Sequence, residues 1–106
     1  MVQSSNKNLE IARKFREKIN LPNSKFILFG SRAKGNFHKE SDFDILIISD
    51  YFKNIPWHKR AINFQLKWGH DVSLEVLCFT PEEIKVLSLN RRGVVREAIN
   101  TGIEII

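Results

Sequence analysis

The spacing of apolar residues changes several times along the chain, and each change predicts an element. Between residues 7 and 20, Leu9, Ala12, Phe15 and Ile19 recur at intervals of three and four with charges between them, the repeat of a one-sided helix. Ser4, Ser5 and Asn6 are available as caps, and Leu21-Pro22-Asn23 stops it. Residues 25–29 (KFILF) read as a short strand ending at Gly30. Residues 30–35 (GSRAKG) read as a tight turn with one or two helical turns. Residues 43–48 (FDILII) are almost unbroken in apolar character, which predicts a strand buried on both faces.

The second half continues the alternation. Residues 56–68 read as a helix, with Pro56 at its first position, Gly69 just past its end, and Trp57, Ala61, Phe64 and Trp68 on one face packed against a sheet. Residues 70–79 form a long strand candidate. Thr80-Pro81-Glu82-Glu83 is a helix start in which threonine caps, proline takes the first position and Glu83 completes a capping box. That helix is expected to reach about residue 89, followed by a short helix over 93–100 and a final strand over 103–106. Strands alternating with helices predict an α/β (α+β) domain on one mixed sheet.

Composition narrows this picture only slightly. A chain of 106 residues, 42% hydrophobic and 27% charged, suits a single domain over 1–106, because each half would bury too little surface to hold a core. No apolar run approaches the ~20 residues of a membrane span. The start, residues 1–7, is polar and lacks a signal core. The single Cys78 cannot pair within the chain and reads as a small buried hydrophobe in a reducing compartment. The expectation is a cytoplasmic protein. The net charge of +5 fits either a lysine-rich solvated surface or attraction to polyanions such as nucleoside triphosphates or nucleic acid.

Three features with chemical potential fall at the ends of neighbouring strands. Gly30-Ser31 follows the first strand; glycine lets backbone approach a ligand and the hydroxyl suits a phosphate, although such a pair taken alone is most often just a turn. Asp42 and Asp44 stand two apart at the mouth of the second strand and so project to one face. Either they are solvated turn residues or a cation draws them together, and hard oxygen ligands suit Mg²⁺. On the third strand Val72, Leu74, Val76 and Cys78 share one face, leaving Glu75 on the other with Ser73, Leu77 and Phe79. A carboxylate between Leu and Val is costly to bury unpaired, so Glu75 lies on an open face or is a third ligand. Asp71 shares its face and competes for that role.

Other polar residues offer less. His38, His58 and His70 have no metal-ligand spacing, although His38 precedes Asp42 and could touch a ligand. Lys59-Arg60 and Arg91-Arg92 read as solvated surface. Arg32 and Lys34 are either further phosphate contacts or surface charge.

The stretch FGSRAKGNFHKESDFDILI resembles the signature of the polymerase-beta-like nucleotidyltransferases, and among them the minimal nucleotidyltransferases, in which Gly-Ser is followed after about ten residues by Asp-x-Asp on a strand. LEVLCFTPEEI is similar to the family's third block, an acidic residue five positions before a "TPEE" helix start, which falls on Glu75. VREAINTGIEII resembles its closing helix and strand. One departure is that the family usually has Asp where this chain has Glu75.

The resemblance implies a nucleotidyltransferase fold and magnesium-dependent, pyrophosphate-releasing transfer of a nucleoside monophosphate to a hydroxyl. Two Mg²⁺ ions would be held by Asp42, Asp44 and Glu75, and a nucleoside triphosphate, ATP in the leading version, by Gly30, Ser31 and Arg32. It also implies a partner: many minimal members are antitoxins paired with a HEPN-domain protein, as hetero- or homo-oligomers, and some transfer AMP to it. The alternatives are transfer to a small hydroxyl compound, a non-catalytic subunit that neutralises a partner by contact, and nucleic-acid binding suggested by charge alone.

Overall fold

The computed structural model describes residues 2–35 and 40–106, with side chains from residue 7 onward. His38 lies outside the described residues. Apolar residues in KFILF and FDILII produce two adjacent antiparallel strands, β1 (Ser24–Phe29) and β2 (Phe43–Ser49), paired from Ser24↔Ser49 to Phe29↔Asp44. A third strand, β3 (Leu74–Phe79), runs parallel to β2, and β4 (Ile103–Ile105) pairs antiparallel with β1. The result is a mixed four-stranded sheet in the order β3-β2-β1-β4.

Alternation along these strands builds two unequal layers. On one face Phe26, Leu28, Ile45, Ile47, Val76 and Cys78 meet Ala12, Phe15 and Ile19 of α1 (Val2–Ile19), together with Phe52, Phe64 and Trp68. Each such fully buried large side chain contributes about 1.5–3 kcal/mol. On the other face Ile27, Phe29 and Leu46 lie under Ala98 of α5 (Val94–Thr101), with Ile84 of α4 (Pro81–Leu87) beside them. A short α2 (Ser31–Lys34) links β1 to the loop before β2, and α3 (Ile62–Leu66) precedes β3. Among the described residues no helix is long and apolar enough to cross a membrane.

Several boundaries differ from the pattern-based expectation. The first helix begins at Val2, so Ser4, Ser5 and Asn6 lie within it rather than capping it. It ends at Asn20, whose φ of 51° is tolerated by Asn better than by most side chains. The third strand is shorter than residues 70–79 because its ladder partner starts at Phe43, which pairs with Leu74. Cys78 is buried as expected, and that burial pushes its thiol up to about 12, so it is unreactive.

The largest departure is in residues 56–68, which form a 3₁₀ turn at Trp57–Lys59 and the five-residue α3 in place of one helix. Phe64 and Trp68 are buried, but Trp57 is 61% exposed, its ring tilted against that of Phe79 with centroids 6.5 Å apart. The reason is Arg60, which lies on the same helical face, three residues after Trp57 and four before Phe64. Its guanidinium is not solvated surface: it donates to the carbonyls of Ile55 and Cys78 and to both oxygens of Glu83, at 2.6 and 3.1 Å. Gln65 donates to the Leu74 carbonyl at 2.8 Å. Two outward carbonyls of the edge strand β3 are thus occupied by side chains, which blunts the edge against pairing with another chain.

Glu83 also accepts from the Thr80 backbone while Thr80 accepts from Glu83, so the expected capping box is present and tied to Arg60. The Arg60 hydrogen bonds hold the Glu83 carboxyl below its ordinary value of 4.5. A depressed folded-state pKa contributes stability that is present above pH 4.5 and lost as pH falls through the lower folded value. Glu83→Gln is therefore expected to cost about 1 kcal/mol in urea unfolding at pH 7. The difference from wild type should close as the buffer is taken down towards pH 3; a gap that persisted unchanged in acid would show that the ion pair is not its source.

Candidate functional site

The carboxylates singled out by the sequence sit where β1 ends and β2 and β3 begin. Asp44 pairs with Phe29 on one side and with Glu75 on the other, so β3, β2 and the end of β1 present Glu75, Asp44 and Gly30 in a row. Asp42 lies just outside β2 and is exposed, as is Glu75. Asp44 is half-buried. Asp44 and Glu75 occupy the face covered by α4 and α5, because positions 44, 46 and 48 alternate together with 75, 77 and 79.

Gly30 is shaped around Asp44. Its φ of 75° and ψ of −159° belong to a region that only glycine occupies readily, and a Cβ built there would land on the Asp44 Oδ2 atom. The turn continues through α2, whose Ala33 and Lys34 amides donate back to the Gly30 carbonyl at 3.1 and 3.2 Å. Ser31 lies at the start of this turn, half-exposed.

Electrostatics mark Asp44 as the centre. Burial pushes its pKa from 3.8 up to about 6, helped by the negative charges of Glu75, Asp42 and Glu97. Glu97, on α5, is a participant that sequence pattern did not reveal. Its position in VREAIN looks like any exposed helical charge, and only the packing of α5 against β1 brings it here. It pairs with Lys34 at 3.1 Å, both side chains half-exposed. Asp71 lies in the turn before β3 and is not among the charges acting on Asp44.

The donor set suits a hard divalent cation: oxygen ligands only, with a negative potential strong enough to raise the proton affinity of its central member. Among the described residues no three acidic, His or Cys side chains stand close enough to grip an ion as they are.

Arg32 is placed differently from the expectation of a phosphate ligand. Its side chain is turned inward, 7% exposed, against Asn8, Ser41 and Phe43. Burial lowers its pKa from the ordinary arginine value. Lys34 remains on the exposed side of α2. Beside Glu75 opens a cavity of about 290 Å³ lined by Leu77, Phe79, Leu87, Asn90 and Val94. A larger one, about 440 Å³, lies further along β3 at Phe79 and the start of α4 and contains none of the clustered carboxylates.

Residues 9–101 match the model of the nucleotidyltransferase domain. The chain belongs to that family. No curated protein matches the sequence. Among solved structures, a crystal structure from Sulfolobus solfataricus described as a candidate nucleotidyltransferase superposes with a TM-score of 0.65 at 20% identity, covering 97% of this chain and 83% of that one. At that identity the likeness establishes a shared fold, which agrees with the α/β sheet described above. The family assignment makes this nucleotidyltransferase domain a candidate transferase.

Two outcomes follow for the apo protein. A raised folded-state pKa means that ionising Asp44 destabilises the fold progressively as pH rises from 3.8 through about 6. Asp44→Asn should therefore raise stability by about 1 kcal/mol at pH 7, after discounting for solvent screening at a half-exposed group, and by almost nothing at pH 3.5. Equal unfolding midpoints at pH 7 in EDTA would contradict it. Gly30→Ala should cost about 1–3 kcal/mol in the same assay, since both backbone strain and collision with Asp44 oppose it.

Proposed function

We propose that this nucleotidyltransferase domain transfers a nucleoside monophosphate, AMP from ATP in the leading form, to a hydroxyl on a partner protein, with Mg²⁺ held by Asp42, Asp44 and Glu75. The observation that carries this reading is the row Gly30–Asp44–Glu75 across three neighbouring strand ends, with the proton affinity of Asp44 raised by burial and then by its acidic neighbours. A divalent ion there supplies charge neutralisation of the triphosphate and lowers the pKa of the attacking hydroxyl.

The chain's own residues then have distinct tasks. Gly30, free of a Cβ, lets the β and γ phosphates approach the backbone next to the Ser31 hydroxyl. The acceptor oxygen forms its bond to the α-phosphorus as the bridging bond to the β-phosphate breaks, releasing pyrophosphate. Glu75 accepts the hydroxyl proton and passes it to solvent. In-line displacement puts acceptor and pyrophosphate on opposite sides of the phosphorus. With the phosphates at Gly30, the acceptor enters from the β3 side, where the cleft beside Glu75 opens. That cleft is mostly apolar and reachable from solvent, which favours a hydroxyl presented on a protein surface over a small polyhydroxyl compound. The family resemblance supplies the class of partner, a HEPN-domain protein in a toxin–antitoxin pair.

Incubation of the chain with α-labelled ATP, Mg²⁺ and the product of its neighbouring gene is expected to label that product, with loss of label in EDTA. Asp44→Asn should reduce labelling by at least about a thousandfold while remaining folded, as expected for removal of a central electrostatic ligand. Glu75→Gln should also be severe. Undiminished transfer by folded Asp44→Asn would exclude the metal assignment, and tight binding of the partner with no transfer would favour a subunit acting by contact alone.

A further inference from the structure

We infer that Arg32 is the positioning residue for Asp42, and that Asn8 on α1 holds Arg32 in that role. The inference rests on the reading of Asp42 as a metal ligand.

Asp42 is placed awkwardly for a ligand. The ladders of the sheet start at Phe43, which pairs with Leu74, and at Asp44, which pairs with Phe29 and Glu75. Asp42 therefore lies one residue outside the register on both sides, at the end of a loop and exposed to water. Nothing in the strand pairing itself fixes where its carboxylate stands relative to Asp44.

Arg32 holds the residue on each side of it. Its Nε and Nη2 both donate to the Ser41 carbonyl, at 3.1 and 2.9 Å. The flat face of the same guanidinium lies over the Phe43 ring, 4.6 Å from the centroid. Ser41 and Phe43 are the immediate neighbours of Asp42, so one side chain sets the backbone direction on both flanks of the carboxylate. Because Arg32 follows directly on Gly30-Ser31, the contact also couples the two halves of the site: the glycine that accommodates Asp44 and the loop that presents Asp42.

Asn8 completes the arrangement from the opposite side. It is 3% exposed, and its amide donates to the Arg32 carbonyl at 3.2 Å while its Oδ1 accepts from Arg32 Nη1 at 3.3 Å. Backbone and side chain of Arg32 are thus gripped by one residue of the long α1. A guanidinium turned out to a triphosphate would leave the Ser41 carbonyl and a buried amide without these partners, an unfavourable exchange. Lysine cannot substitute: a point-like ammonium neither forks onto one carbonyl nor stacks on a ring.

The test uses the ¹⁵N-labelled full chain as wild type, Arg32→Lys and Asn8→Ala. Amide exchange and line shape at Asp42 and Phe43 are expected to change in Arg32→Lys, while those of Ile45 to Ile47 stay as in wild type. Mg²⁺ titration followed at the same amides should show half-saturation raised about tenfold in Arg32→Lys, the scale expected when the support of a metal ligand is removed, and less in Asn8→Ala. The KM for ATP at saturating Mg²⁺ should remain within about twofold of wild type, since orientation and not nucleotide contact is lost.

Unaltered amides at Asp42 and Phe43 in Arg32→Lys would overturn the inference whether or not the wild type transfers anything. So would altered amides with unchanged Mg²⁺ affinity, or a raised KM for ATP alone, which would put Arg32 on the nucleotide. A wild type whose Asp42 and Asp44 amides ignore Mg²⁺ would instead remove the metal reading, and with it the positioning role, leaving the amide data to report the contact. Should Arg32→Lys not fold, Asn8→Ala is read by the same criteria.

Discussion

Parallel pairing of β2 with β3 sets the Asp44 carboxylate beside that of Glu75, and the rest of the site is arranged around that repulsion. Strand pairs have a side-chain period of two, so slipping the register by one residue would relieve the charges only by turning Ile45, Ile47, Val76 and Cys78 out of the core. Each such side chain contributes about 1.5–3 kcal/mol by burial. Like charges facing each other on a half-exposed strand cost about 1 kcal/mol. Packing wins, and the carboxylates stay together although they repel. Burial of Asp44, and after it the neighbouring negative charges, raise its pKa, and Gly30 leaves room for its Oδ2 atom.

Two arginines do structural work that their exposed-looking contexts conceal. Arg60 satisfies carbonyls of the edge strand and joins it to the α4 cap through Glu83. Arg32 links α1, α2 and the loop before β2 through Asn8 and Ser41. Both employ the planar fork of guanidinium on irregular backbone, where no ladder can supply donors, and both lie against an aromatic ring. The cationic groups left beside the carboxylates are of another kind. Lys34, paired with Glu97 across an exposed gap, is held weakly enough to exchange partners.

Fold and chemistry are separable here. The fold is shared with the Sulfolobus solfataricus structure at 20% identity, yet a fold accommodates many activities and only the site argues for one. In this chain the candidate site depends on strand ends: Asp44 on β2, Glu75 on β3, and Gly30 just after β1. The helices α4 and α5 leave that end of the face open, and α5 contributes Glu97 to it.

What the amino-acid sequence determined by itself is the part that depends on local periodicity. Strands at 25–29 and 43–48 and the Thr80–Glu83 capping box follow from alternation along the strands and from cap chemistry. It failed where side chains are claimed by partners distant along the chain. Residues 56–68 read as one helix from Pro56, Gly69 and the shared face of Trp57, Ala61, Phe64 and Trp68, and Arg60 read as solvated, but its acceptors lie at Cys78 and Glu83. The inward turn of Arg32 was likewise hidden, because its partner Asn8 lies 24 residues away. The third strand begins late, at Leu74, because β2 starts only at Phe43, and Glu97 joins the carboxylates only because α5 folds back onto β1. Periodicity specifies which face a residue takes; only the closed tertiary structure, in which buried polar groups must find partners, decides what it meets there.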